Sequence, residues 1–158
     1  MSAVKFSDAA LQRFEQIVGR YPKKEAAMLP VLYLAQEEFG YVGAEAIEYV
    51  AALMEVPVAR VFGVVTFYTM LNTKPIGRHH VQVCRTLPCA LGGAERITAA
   101  IKGKLGIGVG ETTADGRFTL SEVECLASCG TAPMMQVNDD YYENLNEKSV
   151  GEILDRLK

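Results

Sequence analysis

The sequence predicts an α/β protein in two parts, a helical bundle over residues 1–77 followed by a mixed strand-and-helix domain over residues 78–158. Three observations carry this reading. Apolar residues recur at helical spacing before residue 72 and alternate with polar ones in several stretches after residue 78. Between the two patterns lies NTKPIGR (72–78), where a proline and a glycine punctuate the chain. The composition, 49% hydrophobic and 22% charged over 158 residues, is that of an ordinary folded chain and not of a disordered one.

The first half reads as four short helices. Ser7 caps a helix running to about Gly19, with Leu11, Phe14, Ile17 and Val18 on one face. Tyr21-Pro22 ends it. A second helix spans about Lys24 to Phe39 and stops at Gly40. Pro30 inside it removes a hydrogen bond, unless it sits in the first turn of a helix that begins later. The third helix spans about Ala44 to Met54, and Ile47, Val50, Ala51 and Met54 share a face. The fourth opens near Pro57, a favourable first position, and runs toward Phe67. Its sequence, VFGVVTFYTML, is also rich in β-branched and aromatic residues, so its end is ambiguous.

The second half opens with a strand at His79–Cys84, followed by a helix from Gly92 to about Lys104. Gly103, Gly106, Gly108 and Gly110 then suggest a loose connection. Asp115-Gly116 marks a turn into a strand over Phe118–Glu124. A hairpin, 134–137 with 141–145, folds about Asn138–Asp140, and a helix covers about Glu147 to Leu157. A right-handed crossover, then a hairpin and a closing helix, gives a small thioredoxin-like layer.

Charge and hydropathy exclude several classes of function. The net charge of −3 provides no basic field for nucleic acid or an anionic membrane. The longest apolar run falls far short of the ~20 residues of a membrane span. The N-terminal stretch MSAVKFSDAALQRFEQ has no secretory apolar core. These features fit a cytoplasmic protein, in which structural disulfides are rare. The four cysteines therefore read as metal ligands in preference to two bridges.

They are Cys84 and Cys89, a C-x4-C pair, and Cys125 and Cys129, a C-x3-C pair. Each pair follows the end of a predicted strand. If the two strands are parallel neighbours, both loops open at one edge of the sheet and four thiolates converge. Spacing alone leaves an iron–sulfur cluster, zinc and thiol–disulfide chemistry open. Three features favour iron–sulfur. The first pair has the C-x4-C opening of plant-type [2Fe–2S] ferredoxins, without the C-x2-C that follows it there. The longer gap within each pair suits a two-iron cluster. The flanking Leu87, Pro88, Leu126, Ala132 and Pro133 limit solvent access. The C-x-x-C spacing of dithiol redox enzymes is absent. A Rieske centre is excluded, because His79 and His80 precede Cys84 and do not alternate with the cysteines.

The segments HHVQVCRTLPCALGG and VECLASCGTAPMMQVNDDYY resemble the E-type subunits of NADH:quinone oxidoreductase (respiratory complex I), the thioredoxin-like [2Fe–2S] ferredoxin family. The upstream YLAQEEFGYV and VFGVVTFYTMLNTKPIGRHH are similar to the same family. The resemblance covers nearly the whole chain. It implies a helical N-terminal region and a thioredoxin-like domain with one [2Fe–2S] cluster on Cys84, Cys89, Cys125 and Cys129. It also implies a flavoprotein partner that holds FMN and the NADH site, in a complex attached to the membrane at its cytoplasmic face without insertion of this chain. A diaphorase module of an NAD-linked hydrogenase or formate dehydrogenase has the same chemistry, and a zinc-stapled interaction module is the alternative of another class. One departure stands out: Ala127 occupies a place where the family often has glycine, which strains the loop if that place needs positive φ.

Other motifs have plainer readings. Gly92-Gly93 lacks the rest of a phosphate loop and reads as the start of a helix. His79 and His80 read as strand-start residues, and Glu37, Glu38, Glu45 and Glu48 as solvated helix faces. Arg85, beside Cys84, is either a cation that raises the potential of a cluster or a solvated loop residue. Pro133 precedes a strand, where thioredoxin-like folds often have a cis proline. No nucleophile–base pair is visible, so the chain is expected to oxidise no NADH by itself.

Overall fold

A computed structural model describes residues 4–157. The chain forms two compact units, Met1–Pro75 and Ile76–Lys158, and each has its own apolar core.

Among the described residues the regular elements of the first unit are all helical. Helix α1 is Asp8–Val18, and Ser7 caps it by accepting a hydrogen bond from the Ala10 N–H at 3.2 Å. The Ser7 N–H in turn donates to Glu38 at 2.9 Å, so this carboxylate does more than face solvent. A 3-10 turn at Lys24–Ala27 leads into α2, Met28–Phe39. The expected helix from Lys24 is thus split, and Pro30 falls in the first turn of α2, where its missing N–H costs no intrahelical bond. Helix α3 is Ala44–Met54 and α4 is Val58–Phe67. The ambiguous stretch is therefore helical as far as Phe67, where Val61 and Val65 face the core and override the strand propensity of its residues, and it leaves the helix at Tyr68. Phe6 stacks on Phe39 and meets Tyr49 edge-on, with ring centres 5.4 and 5.3 Å apart. The Gln36 side chain fixes the segment after α4 by donating to the Met70 carbonyl and accepting from the Asn72 N–H. This segment buries Leu71, while Phe62, Phe67 and Met70 stay exposed.

The second unit is a four-stranded mixed sheet with helices. Its strands are β1, His79–Cys84; β2, Phe118–Val123; β3, Met135–Val137; and β4, Asp140–Tyr142. The order across the sheet is β2-β1-β3-β4. Strands β1 and β2 are parallel, and β3 runs antiparallel to both β1 and β4. Helices α5, Leu87–Gly92, and α6, Ala94–Leu105, form the crossover from β1 to β2, and α7, Glu147–Arg156, closes the chain. The core comprises Val81, Val83, Phe118, Leu120, Met134, Met135 and Val137 from the strand segments, packed with Ile97, Ile101, Val150 and Leu154 of α6 and α7.

Three sequence expectations change here. The helix expected to start at Gly92 is preceded by a separate helix, α5, because Pro88 suits the first turn of a helix and Gly93 supplies a left-handed break at φ +102°. The hairpin strands are shorter than expected, and their turn places Asn138 in the left-handed region at φ +53°. The glycine-rich stretch after α6 is pinned to β2: the Gly110 N–H donates to the Leu120 carbonyl at 2.7 Å, and the Leu120 N–H donates back to Glu111 at 3.1 Å. Among the described residues no helix is long and apolar enough to cross a membrane.

Candidate metal centre

The parallel pairing of β1 with β2 sets the site. Cys84 lies opposite Val123 in register, so both strands end at the same edge of the sheet. The Arg85 N–H reaches the Val123 carbonyl at 3.0 Å and keeps the two departing segments together. The structure thus brings the two cysteine loops side by side, as the sequence anticipates. Cys84 is the last residue of β1, and Cys89 lies on α5 instead of in a loop. Cys125 follows β2, and Cys129 begins a 3-10 turn.

The pairs differ in exposure. Cys84 and Cys89 are 3% and 2% exposed, whereas Cys125 and Cys129 are open to solvent. Helix α5 carries Cys89 close to the Ala132-Pro133 segment, whose peptide bond is cis. Gly92 permits that approach, because a Cβ there would lie 3.1 Å from the Pro133 nitrogen.

Backbone N–H groups point at the sulfurs. Burial raises the Cys84 thiol, but the Thr86 hydroxyl and the N–H groups of Leu126 and Thr86 outweigh it and hold the group below the usual thiol range. Burial and the neighbouring Cys84 push Cys89 up, opposed by the Met134 N–H. The Ala127 N–H lies 3.4 Å from the Cys125 sulfur. Ala127 itself adopts φ +60°, a conformation that favours glycine and costs an alanine about 1 kcal/mol.

Among the described residues no three His, Cys, Asp or Glu side chains are gathered around one point as for a single metal ion. The candidate donors are four thiols on two adjoining segments, with N–H groups directed at Cys84, Cys89 and Cys125. That is the chemistry of a soft-metal or iron–sulfur site, in which hydrogen bonds to sulfur stabilise the thiolate form.

Of the other residues singled out in the sequence, Arg85 is committed to Glu124. Its guanidinium donates to one carboxylate oxygen from Nε at 3.1 Å and from Nη2 at 2.5 Å. Since Arg85 follows Cys84 and Glu124 precedes Cys125, this pair ties the two loops together. The half-buried His80 bonds Ser121 at 2.8 Å, within the sheet. Sequence reasoning missed Tyr141 and Glu143, which reach the second cysteine loop from the far hairpin: Tyr141 donates to the Leu126 carbonyl at 2.9 Å, and Thr131 donates to Glu143 at 2.6 Å.

Comparison with known proteins shows the family. The family described as thioredoxin-like [2Fe-2S] ferredoxin matches residues 14–158. A Rickettsia conorii protein, named as the E-type subunit of NADH-quinone oxidoreductase, is 46% identical over 156 residues, covering 97% of this chain and 93% of its own length. The Dictyostelium discoideum protein named NADH dehydrogenase [ubiquinone] flavoprotein 2, mitochondrial, is 44% identical over 97% of this chain and 63% of its own length. Among solved structures, an NAD+-reducing [NiFe]-hydrogenase gives a TM-score of 0.71 at 17% identity, over 82% of this chain and 22% of that one, a likeness of fold. The chain belongs to the thioredoxin-like [2Fe–2S] ferredoxin family.

Proposed function

We propose that this chain is the electron-transfer subunit of an NADH-quinone oxidoreductase, holds one [2Fe–2S] cluster on Cys84, Cys89, Cys125 and Cys129, and exchanges electrons with FMN on a partner flavoprotein. The observation that carries the reading is the meeting of two cysteine loops at one edge of the sheet, set by the pairing of Cys84 with Val123. Relatives that match over nearly their full length and are named as a component of that oxidoreductase support the assembly. Attachment to the membrane through the rest of the complex, on the cytoplasmic side, belongs to the same reading.

Such a cluster, when bound, takes up and gives back one electron at a time. The chain's own residues do the rest. The N–H groups of Thr86, Leu126, Met134 and Ala127 offset negative charge on the sulfurs. Burial of Cys84 and Cys89 keeps water from one side of the site, and exposure of Cys125 and Cys129 leaves the other side at the surface, within reach of a redox partner.

The fold likeness to a hydrogenase keeps the diaphorase reading as second. The proteins that co-purify from the native host separate the two assemblies. The electron-exchange step is tested by adding NADH anaerobically. The visible absorbance of this chain is expected to bleach when the flavoprotein is present and to persist when it is absent. No bleaching with the flavoprotein present contradicts the step.

Arg85 gives a second expectation. Its charge is offset by Glu124, so Arg85→Ala uncovers a carboxylate beside the cluster and lowers the reduction potential. Both side chains are more than half exposed, and screening keeps the shift below ~59 mV, a tenfold change for one electron. Adding Glu124→Gln returns the potential to near its starting value. An unchanged potential in Arg85→Ala at low salt contradicts this account.

A further inference from the structure

The two cysteine pairs are held in different ways. Cys84 and Cys89 are buried and belong to a strand and a helix. The loop from Cys125 to Cys129 has neither advantage. Both of its cysteines are exposed, and Ala127 holds a left-handed conformation at φ +60°. A loop that is strained and solvated relaxes unless contacts from elsewhere fix it.

Those contacts come from β4 and the residues just after it. Tyr141 donates its hydroxyl to the Leu126 carbonyl at 2.9 Å. One oxygen of Glu143 accepts from both the Ser128 and the Thr131 hydroxyls, which flank Cys129. The two hydroxyl oxygens also lie 2.7 Å apart, so the carboxylate and both hydroxyls sit in one cluster. The Asn144 N–H donates to the Thr131 carbonyl at 2.7 Å, in parallel with the side chains. Glu143 is held below the usual carboxylate range by the Ser128 hydroxyl and then by Thr131.

We propose that Tyr141 and Glu143 are positioning residues that clamp the Cys125–Cys129 loop in the conformation that receives the cluster. This rests on the cluster reading above. It assigns the β3–β4 hairpin a role beyond completing the sheet: one side chain fixes the loop between its cysteines, and the other fixes the turn that carries Cys129. The clamp acts through accepted hydrogen bonds more than through charge, so an amide oxygen at position 143 serves as well as a carboxylate.

The test uses the full chain with Tyr141→Phe, Glu143→Ala and Glu143→Gln. Chelator-driven bleaching of the visible absorbance is expected to run about tenfold faster in Glu143→Ala and several-fold faster in Tyr141→Phe. Glu143→Gln keeps the acceptor and is expected to bleach at nearly the starting rate. In the metal-free chain, amide exchange at Thr131 and Asn144 is expected to quicken in Glu143→Ala and not in Glu143→Gln. Unchanged bleaching and exchange in Glu143→Ala and Tyr141→Phe overturn the clamp, as does a Gln variant that behaves like the Ala variant. A parent chain that takes up no chromophore overturns the cluster reading instead, and the exchange measurement, which needs no metal, still decides the clamp.

Discussion

Alanine at any one of Cys84, Cys89, Cys125 or Cys129 is expected to leave the purified chain nearly colourless, with the iron lost or unstable. Each replacement removes a thiolate, and the sequence has no fifth cysteine to take its place. The four variants are expected to differ once the metal is gone. Cys84 and Cys89 are packed in the core, so their replacement also leaves a small cavity, costing the metal-free second unit about 1 kcal/mol. Cys125 and Cys129 are exposed, and their alanine variants are expected to match the metal-free parent in thermal midpoint. This contrast separates loss of a ligand from loss of the fold. A variant that keeps a normal visible spectrum and its full iron content shows that its cysteine is not a ligand.

The second large effect concerns the division of labour. Residues 76–158 contain all four cysteines, the whole sheet and a core of their own. Expressed alone, they are expected to be soluble and brown. Residues 1–75 contain no cysteine but expose Phe62 at 55% and Phe67 at 77%. Val42, Ile47, Val58 and Phe62 line an apolar groove of about 410 Å3 in the same unit. Exposed aromatic side chains beside such a groove are typical anchors of a protein interface. We therefore expect residues 1–75 to retain the flavoprotein in a pull-down and residues 76–158 to lose it. Phe62→Ser together with Phe67→Ser in the full chain is expected to weaken the association by at least about tenfold, with the visible spectrum unchanged. Full-affinity binding of the flavoprotein by residues 76–158 alone contradicts the division.

Much of this architecture is legible in the sequence because its signals are local. Alternation in HHVQVC and FTLSEV marks two strands, and the cysteines at their ends mark the site. The resemblance, through the glycine that the family often has where this chain has Ala127, points to positive φ, which the loop adopts. Helix α5 is hidden because CRTLPCALGG is dense in loop-forming residues, although Pro88 near its start and Gly93 at its end are the signals that define it. The partners of the second cysteine loop are hidden for another reason. Tyr141 and Glu143 reach it across the sheet, at separations of 15 residues for Tyr141–Leu126 and 12 for Glu143–Thr131. No local pattern specifies such a contact; it follows only from the β3–β4 pairing, which brings the hairpin alongside the loop. The Arg85–Glu124 pair lies between these cases: each residue adjoins a cysteine, and the pairing follows once the parallel register of β1 and β2 is known.

A two-iron cluster held by this chain alone fixes the metal content of the purified protein. It is tested most directly by measuring iron, acid-labile sulfide and zinc per chain in protein purified anaerobically from its native host, with an electron paramagnetic resonance spectrum after reduction. About two irons and about two sulfides per chain are expected, with little zinc and the signal of a single unpaired electron shared by an iron pair. About four irons per chain, or one zinc with no labile sulfide, contradicts it.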